Sequence, residues 1–330
     1  MPEAKRRGNN DERALKAAAA VDTGEVWQLP DGRAAYHDAL EDAATGDRVC
    51  FRTEGIATVP KAASIVITDG QPVYWDHSAN AATFEKVNDR DFFLGTAVGD
   101  AASADTTMEV NLNERPVYAV DIKRDGFLSV LVGTPAAGAF QYPQNLGGRL
   151  VFELTATNEA QKVDAFSVDR WAVGANWIVE GVFNIMVDGS NATQDFNIGV
   201  ANATHASDAD SIAESVFIHV DGNSTNLAAE SDDGTTEVAA TDTTKDYTEG
   251  VDVAQRVHFV MDGRNPADVQ IYIDGVNVLP NSTFDVSAAT GPLGLLVHLE
   301  KSAGTDVYKV GVEHLAVRLM EQDGNQLVNA

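Results

Sequence analysis

The chain has 330 residues and a mass of 35.1 kDa, 44% of it apolar, which is enough for two ordinary domains with real cores. Fifty Asp and Glu against 23 Lys and Arg leave a formal net charge of -27, which argues against nucleic acid and against an anionic membrane as partners. No apolar run approaches the ~20 residues of a membrane-spanning helix, the N-terminus lacks a signal-peptide apolar core, and the single cysteine, Cys50, excludes an internal disulfide or a multi-cysteine metal site.

Residues 1–24 read as an arm. Lys5, Arg6, Arg7, Arg13 and Lys16 make it the only basic-leaning stretch, and Ala17 to Ala20 could close a short helix. A frayed terminus and a tether to an acidic neighbour both fit this composition. Residues 25–115 place β-branched and aromatic residues beside Gly, Asp and Pro about every ten positions, as in GDRVCFRTEGIATVPKAA, ITDGQPVYWD and FFLGTAVGDA. That spacing predicts a small antiparallel β-barrel or sandwich. Residues 116–148 form a transition with one or two strands, followed by a linker rich in Gly, Pro and Ala.

Residues 149–330 predict a second all-β block. Strands are expected at 149–156, 178–187, 194–200, 215–220, 256–261, 269–273, 294–299 and 307–319. VFIHVDG, RVHFVMDG and VQIYIDGVNV each end in Asp-Gly, a tight-turn signal. This number of strands fits a two-sheet jelly roll. The fold class is therefore all-β throughout.

The acidic excess is uneven. The chain has 32 Asp and 18 Glu but only 9 Lys, and residues 188–252 hold fourteen acids against Lys245 alone. Few lysines among many aspartates is read as the pattern of salt-saturated cells, where dense salt screens carboxylate repulsion. An acidic surface kept for ordinary solubility is the alternative.

Two stretches carry resemblances. GDRV at 46–49, EGIATVPKAA at 54–63, ITDGQPVYWD at 67–76 and LGTAVGDAASADTTMEVNLN at 94–113 resemble the tailed-phage capsid decoration (cement) proteins. The barrel motif is Pro60, Lys61, Gly70, Val73, Tyr74, Trp75 and Asp76. Gly70 and Pro72 would shape a turn, and Val73, Tyr74 and Trp75 would supply buried bulk. The resemblance implies a virion protein on the outer capsid surface, assembled in the host cytoplasm. Its partners would be the major capsid protein and itself, as a homotrimer. Lys5, Arg6, Arg7 and Arg13 are the expected capsid-anchoring residues. The second stretch, VHFVMDGRNPADVQIYIDGVNV with VYKVGVEHLAVRLM, is similar to concanavalin-type, laminin-G-like sandwiches, which often bind sugars or Ca²⁺. Host-surface glycans are a partner by that analogy alone.

Chemistry-bearing residues are few. His219, His258, His298 and His314 all fall on expected strands and could collect zinc if those strands face one another. His77 belongs to a turn. No G-x-S-x-G elbow and no phosphate loop is present. Glu230, Asp232, Asp233 and Glu237 lie in a stretch that reads as a solvated loop. Asp188, Asp195, Asp208, Asp210, Asp221, Asp232 and Asp233 offer oxygens that would hold Ca²⁺, Na⁺ or K⁺ loosely, without a fixed cofactor. Asn191, Asn202, Asn223 and Asn281 open Asn-x-Ser/Thr sequons that mark exposed loops. The expected role is structural, with no catalytic or metal residues assigned. A carbohydrate-binding module and a β-sandwich glycoside hydrolase remain alternatives.

Overall fold

The computed structural model describes residues 12–135, 148–189, 192–252 and 255–320. The chain divides into two compact units, Met1–Val117 and Tyr118–Ala330.

The first unit holds nine strands among the described residues: β1 Glu12–Lys16, β2 Val26–Gln28, β3 Ala34–His37, β4 Arg48–Arg52, β5 Ile56–Pro60, β6 Pro72–Asp76, β7 Ala81–Thr83, β8 Phe92–Val98 and β9 Thr107–Leu112. They form a four-stranded sheet, β1-β4-β3-β2, and a five-stranded sheet, β5-β9-β8-β6-β7. Pairing is antiparallel in both. Among the described residues no sheet closes, so open sheets stand where a barrel was expected. The outer strands of the second sheet meet only at one parallel bridge, Lys61–Ala82. Pro60 ends β5 without an N–H to extend a ladder, and Lys61 turns the chain just beyond it. Glu12–Lys16, within the expected arm, forms a strand on β4, and no helix follows at Ala17 to Ala20.

Each sheet has its own core. Ala17, Val21, Leu29, Ala35, Val49 and Phe51 pack under the first. Ile67, Val73, Trp75, Phe92, Leu94, Val110 and Leu112 pack under the second, together with Ala34 of β3. Asn113 ties the two sheets: its Nδ2 donates to Ala34 O at 2.9 Å and Thr53 O at 2.7 Å, and its Oδ1 accepts from Ala34 N at 2.9 Å. Gly95 is required by the β8–β9 approach, because a Cβ there would sit 2.1 Å from Asn111 O.

The second unit is a β-sandwich. Its strands are β10 Val120–Asp121, β11 Phe127–Leu128, β12 Leu150–Leu154, β13 Gln161–Ser167, β14 Trp177–Val187, β15 Gln194–Ala201, β16 Ser215–Asp221, β17 Asn226–Asp232, β18 Glu237–Asp246, β19 Val257–Gly263, β20 Gln270–Ile273, β21 Val276–Asn277, β22 Gly294–Lys301 and β23 Tyr308–Leu319. One sheet runs β10-β23-β14-β19-β20-β21, with β12 also paired to β23, and the other runs β11-β13-β22-β15-β16-β17-β18. Alternate residues of both sheets meet in one core, including Trp177, Val179, Phe183, Phe259, Val310 and Val312 from the first. Phe196, Ile198, Val200, Val216, Ile218, Val297 and Leu299 come from the second. Phe183 packs 5.3 Å from Phe196 and 6.1 Å from Phe259, centroid to centroid. Aromatic pairs of this kind contribute about 0.5–1.5 kcal/mol beyond burial.

The eight expected strands of this unit all form, with ends shifted by a few residues. β13, β17 and β18 were not anticipated. Of the three Asp-Gly pairs, Asp274-Gly275 makes the tight turn, with both residues at positive φ (51° and 73°). Asp262-Gly263 instead stays in β19, where Gly263 leaves room for the Trp177 ring.

Candidate functional site

In the first unit the expected motif residues lie on and around β6. Val73 and Trp75 are buried, and Tyr74 stacks edge-on against Phe93 at 5.7 Å. Gly70, at φ 74°, opens the turn and donates its N–H to Ala97 O at 3.1 Å. Pro60, at the end of β5, is exposed. Lys61 is buried, and its Nζ donates to Ala62 O at 2.9 Å and Ile65 O at 2.8 Å. Burial lowers its pKa. Asp76 Oδ1 accepts from Ser78 Oγ at 2.6 Å, Ser78 N at 2.8 Å and Ala79 N at 3.0 Å. The Ser78 hydroxyl leads the contacts that hold its carboxyl below the usual range. The charged members of this motif therefore close turns. Lys5, Arg6 and Arg7 lie outside the described residues, and of Arg13 only the β1 backbone is described.

The second unit concentrates its titratable groups on the outer faces of its sheets. Alternation sets this up. Val216, Ile218 and Val220 point into the core, so Phe217, His219 and Asp221 face away from it. On β15, Phe196, Ile198 and Val200 are core residues, which turns Asp195 and Asn197 the same way as His219. The antiparallel registers then align His298, Asn197 and His219 in one row and Glu300, Asp195 and Asp221 in the next. Glu230 joins from β17. Phe166, Ala209, Ile212, Phe217 and Leu296 make a small second core on this face. That packing pins the connection after β15, and the 3-10 turn Ala209–Ser211 swings Asp210 over His219.

Around His219 the distances are short. Nδ1 stands 3.2 Å from Asp210 Oδ1 and 3.7 Å from Glu230 Oε1, and Nε2 stands 3.2 Å from Asp221 Oδ1. Asn197 Nδ2 lies 2.9 Å from Asp210 Oδ1, 2.7 Å from Glu230 Oε1 and 3.1 Å from His219 Nδ1. Burial disfavours a charged imidazole, but the hydrogen bonds to Asp210 and Glu230 outweigh it and hold the His219 pKa at about 11. Burial raises the Glu230 carboxyl. Asp195 is pushed up to about 7, by burial and by repulsion from Glu300, Asp221 and Asp210, against the pull of His219. His298 Nε2 lies 2.7 Å from Glu300 Oε2.

The four strand histidines do not converge. His219 and His298 face out from one sheet, while His258 and His314 face out from the other, because Phe259, Leu315 and their neighbours fill the core between. On that second face Glu180 is buried, bonded to Arg318 Nη1 and Tyr118 Oη, with His314 Nε2 at 3.1 Å. Burial opposes ionisation there, yet Arg318 and His314 hold the Glu180 pKa far below the usual range. Burial drives His258 down to about 4, with His314 and Arg318 adding to it. His77 sits in the turn after β6.

Of the acids expected on loops, Asp195, Asp210 and Asp221 gather at His219. Asp208 caps the 3-10 turn, and Asp233 Oδ1 holds Thr235 and Thr236. Glu230 corrects the loop reading of its stretch: it is 7% exposed, on a strand whose Leu227 and Ala229 enter the core.

None of the curated proteins matches the sequence. Among solved structures the chain is similar to the alginate lyase AlyC3, at 12% identity over 56% of this chain and 80% of that one, with a TM-score of 0.39. It is also similar to the potassium-bound Emp46p carbohydrate recognition domain, at 10% identity over 57% of this chain and 87% of that one, with a TM-score of 0.36. No activity is taken from these likenesses. The first unit gives a match to a family, as its motif residues implied: residues 6–112 are similar to the phage cement protein family.

Proposed function

We propose that this chain is a structural virion protein that binds the outside of a viral capsid, stabilises the shell, and carries the β-sandwich outward. The match of residues 6–112 to the phage cement protein family carries this reading. The partner is the major capsid protein, reached through the first unit and the basic residues Lys5, Arg6, Arg7 and Arg13. A homotrimer of about 105 kDa, three chains of 35.1 kDa, would turn three weak footprints into one tight attachment. The role is one of binding, not catalysis.

The charge pattern supports a salt-rich setting. Three of the nine lysines are withdrawn from the surface: Lys61, Lys162 and Lys301 are buried, and the ammonium groups of all three donate to backbone carbonyls. The surface is left with a larger excess of carboxylates, which dense salt screens.

The test is cosedimentation with shells assembled from the major capsid protein encoded alongside this chain, in molar KCl. Saturable binding and a higher temperature of shell disruption are the expected results. Shells that neither retain the protein nor gain heat resistance would overturn the reading.

A further inference from the structure

We propose that Asp210, His219 and Glu230, completed by the side-chain amide of Asn197, form a binding site for a divalent transition-metal cation of the zinc or manganese kind. The ligand atoms come from four places in the fold: the 3-10 turn, β16, β17 and β15. Five of the six distances among Asp210 Oδ1, His219 Nδ1, Glu230 Oε1 and the Asn197 amide nitrogen are 2.7, 2.9, 3.1, 3.2 and 3.7 Å, which approach the edges of a metal-centred tetrahedron. Four donors at the bond lengths of a zinc site stand roughly 3.3 Å apart.

Two observations beyond the acids point to a cation. The first is Asn197. It is fully buried, its amide lies within this set of atoms, and its Oδ1 has no partner among the described residues. Turning the amide over, a rotation that exchanges its oxygen and nitrogen, brings that oxygen to the ligand cluster. A cation at the centre supplies the partner that the buried oxygen lacks. The second is the far side of the imidazole. His219 Nε2 faces the Asp221 carboxylate at 3.2 Å. Metal-bound histidines characteristically give their other ring N–H to such a carboxylate, which fixes the tautomer and leaves Nδ1 free to ligate.

Charge and chemistry agree. Asp210 and Glu230 together balance a dication. The imidazole nitrogen favours zinc over Ca²⁺ and Mg²⁺, which take oxygen donors, and the two carboxylates also suit Mn²⁺. A metal needs the imidazole neutral and both carboxylates ionised, so loading displaces a proton wherever one is held. The proton leaves to solvent past the exposed Asp210. Affinity therefore rises with pH.

The experiment is isothermal titration of the full chain, first stripped with EDTA, using Zn²⁺ and Ca²⁺ in buffers of different ionisation enthalpy. The expected result is one saturable Zn²⁺ site, Ca²⁺ at least tenfold weaker, and proton release to the buffer. Asp210→Asn, on an exposed turn outside the core, and His219→Gln should each weaken Zn²⁺ at least tenfold. Mn²⁺ bound to the unaltered chain should show ¹⁴N coupling from an imidazole by pulsed electron paramagnetic resonance. Absence of a saturable site, unchanged Zn²⁺ affinity in Asp210→Asn, or bound Mn²⁺ without nitrogen coupling would each overturn the proposal.

Discussion

The two outer faces of the sandwich are built by the same strand alternation, yet they settle their charges in opposite ways. On the β14 face one buried carboxylate, Glu180, is met by Arg318, His314 and Tyr118. On the β15 face one imidazole, His219, is met by Asp210, Asp221 and Glu230, with Asp195 and Glu300 in the adjoining row. The first arrangement is balanced within the chain. The second has more negative charge than its own protons and cations neutralise, so it must raise carboxyl pKa values or recruit a cation. The balanced face can act as a structural lock, and the surplus face is the one on which the proposed cation site lies.

The largest expected effect tests the lock. Glu180→Gln leaves Arg318 charged and buried without its carboxylate, and removing one partner of a buried pair costs about 3–5 kcal/mol. Urea unfolding monitored on the sandwich aromatics should show a loss of this size. Pairing the change with Arg318→Met should return most of it, since an apolar replacement of both partners is often neutral. A single variant within about 1 kcal/mol of the parent would show that this face is not a lock. The pH dependence has a definite sign. The folded Glu180 pKa lies below its ordinary value, so its contribution is complete above the unfolded carboxyl pKa and disappears as pH falls towards the folded one.

The contrast between the faces also shows what the sequence makes legible. The core could be read because period-two apolar runs such as VFIHV and WIVEGVFNIMV announce their inward residues whatever lies opposite. The turns of the first unit could be read because Gly70, Pro60 and Asp76 act within a few residues of themselves. The site could not. Asn197, Asp210, His219 and Glu230 are joined only by register across three strands and by a turn that folds back, and no short spacing encodes that. β17 and β18 were hidden because NLAAESD and EVAATDTTKD carry small and acidic residues instead of β-branched bulk at many positions. One weak signal was available: Leu227 and Ala229, two positions apart, are the apolar residues that β17 sends into the core. β13 was obscured by Lys162 and Asp164, which satisfy one another at 2.9 Å and so tolerate burial. The barrel expectation follows from local strand signals, but closure depends on pairing between β5 and β7, where the chain makes a single bridge, Lys61–Ala82, and no ladder.

A smaller effect of the opposite sign tests the surplus face. Asp195→Asn should stabilise the protein near pH 7.5 by removing a carboxylate that Glu300, Asp221 and Asp210 repel. Because the folded pKa is raised to about 7, the parent loses stability as pH rises from the ordinary carboxyl value to about 7. The advantage of the variant should therefore be absent near pH 3.5, grow through that interval and level off above it. Thermal unfolding across that series checks it. A variant less stable than the parent at pH 7.5 would mean that Asp195 is engaged by a cation already present, or that its neighbours do not repel it.

The smallest effect supplies a reference in the first unit, at a carboxylate held mainly by hydrogen bonds, with His77 the least of the contacts that lower its pKa. Asp76 accepts only from Ser78 and Ala79, so Asp76→Ala removes hydrogen bonds from a turn and leaves no buried charge behind. Net losses for such bonds are about 0.5–1.5 kcal/mol each and add incompletely, so a total of about 1–2 kcal/mol is expected. Its depressed pKa places this stabilisation above the ordinary aspartate value and removes it as pH falls below. Asp76→Asn separates charge from geometry, because the amide oxygen can still accept from both backbone N–H groups. If Asn recovers most of the loss, the turn needs an acceptor and not an anion, which would set this carboxylate apart from those of both sandwich faces.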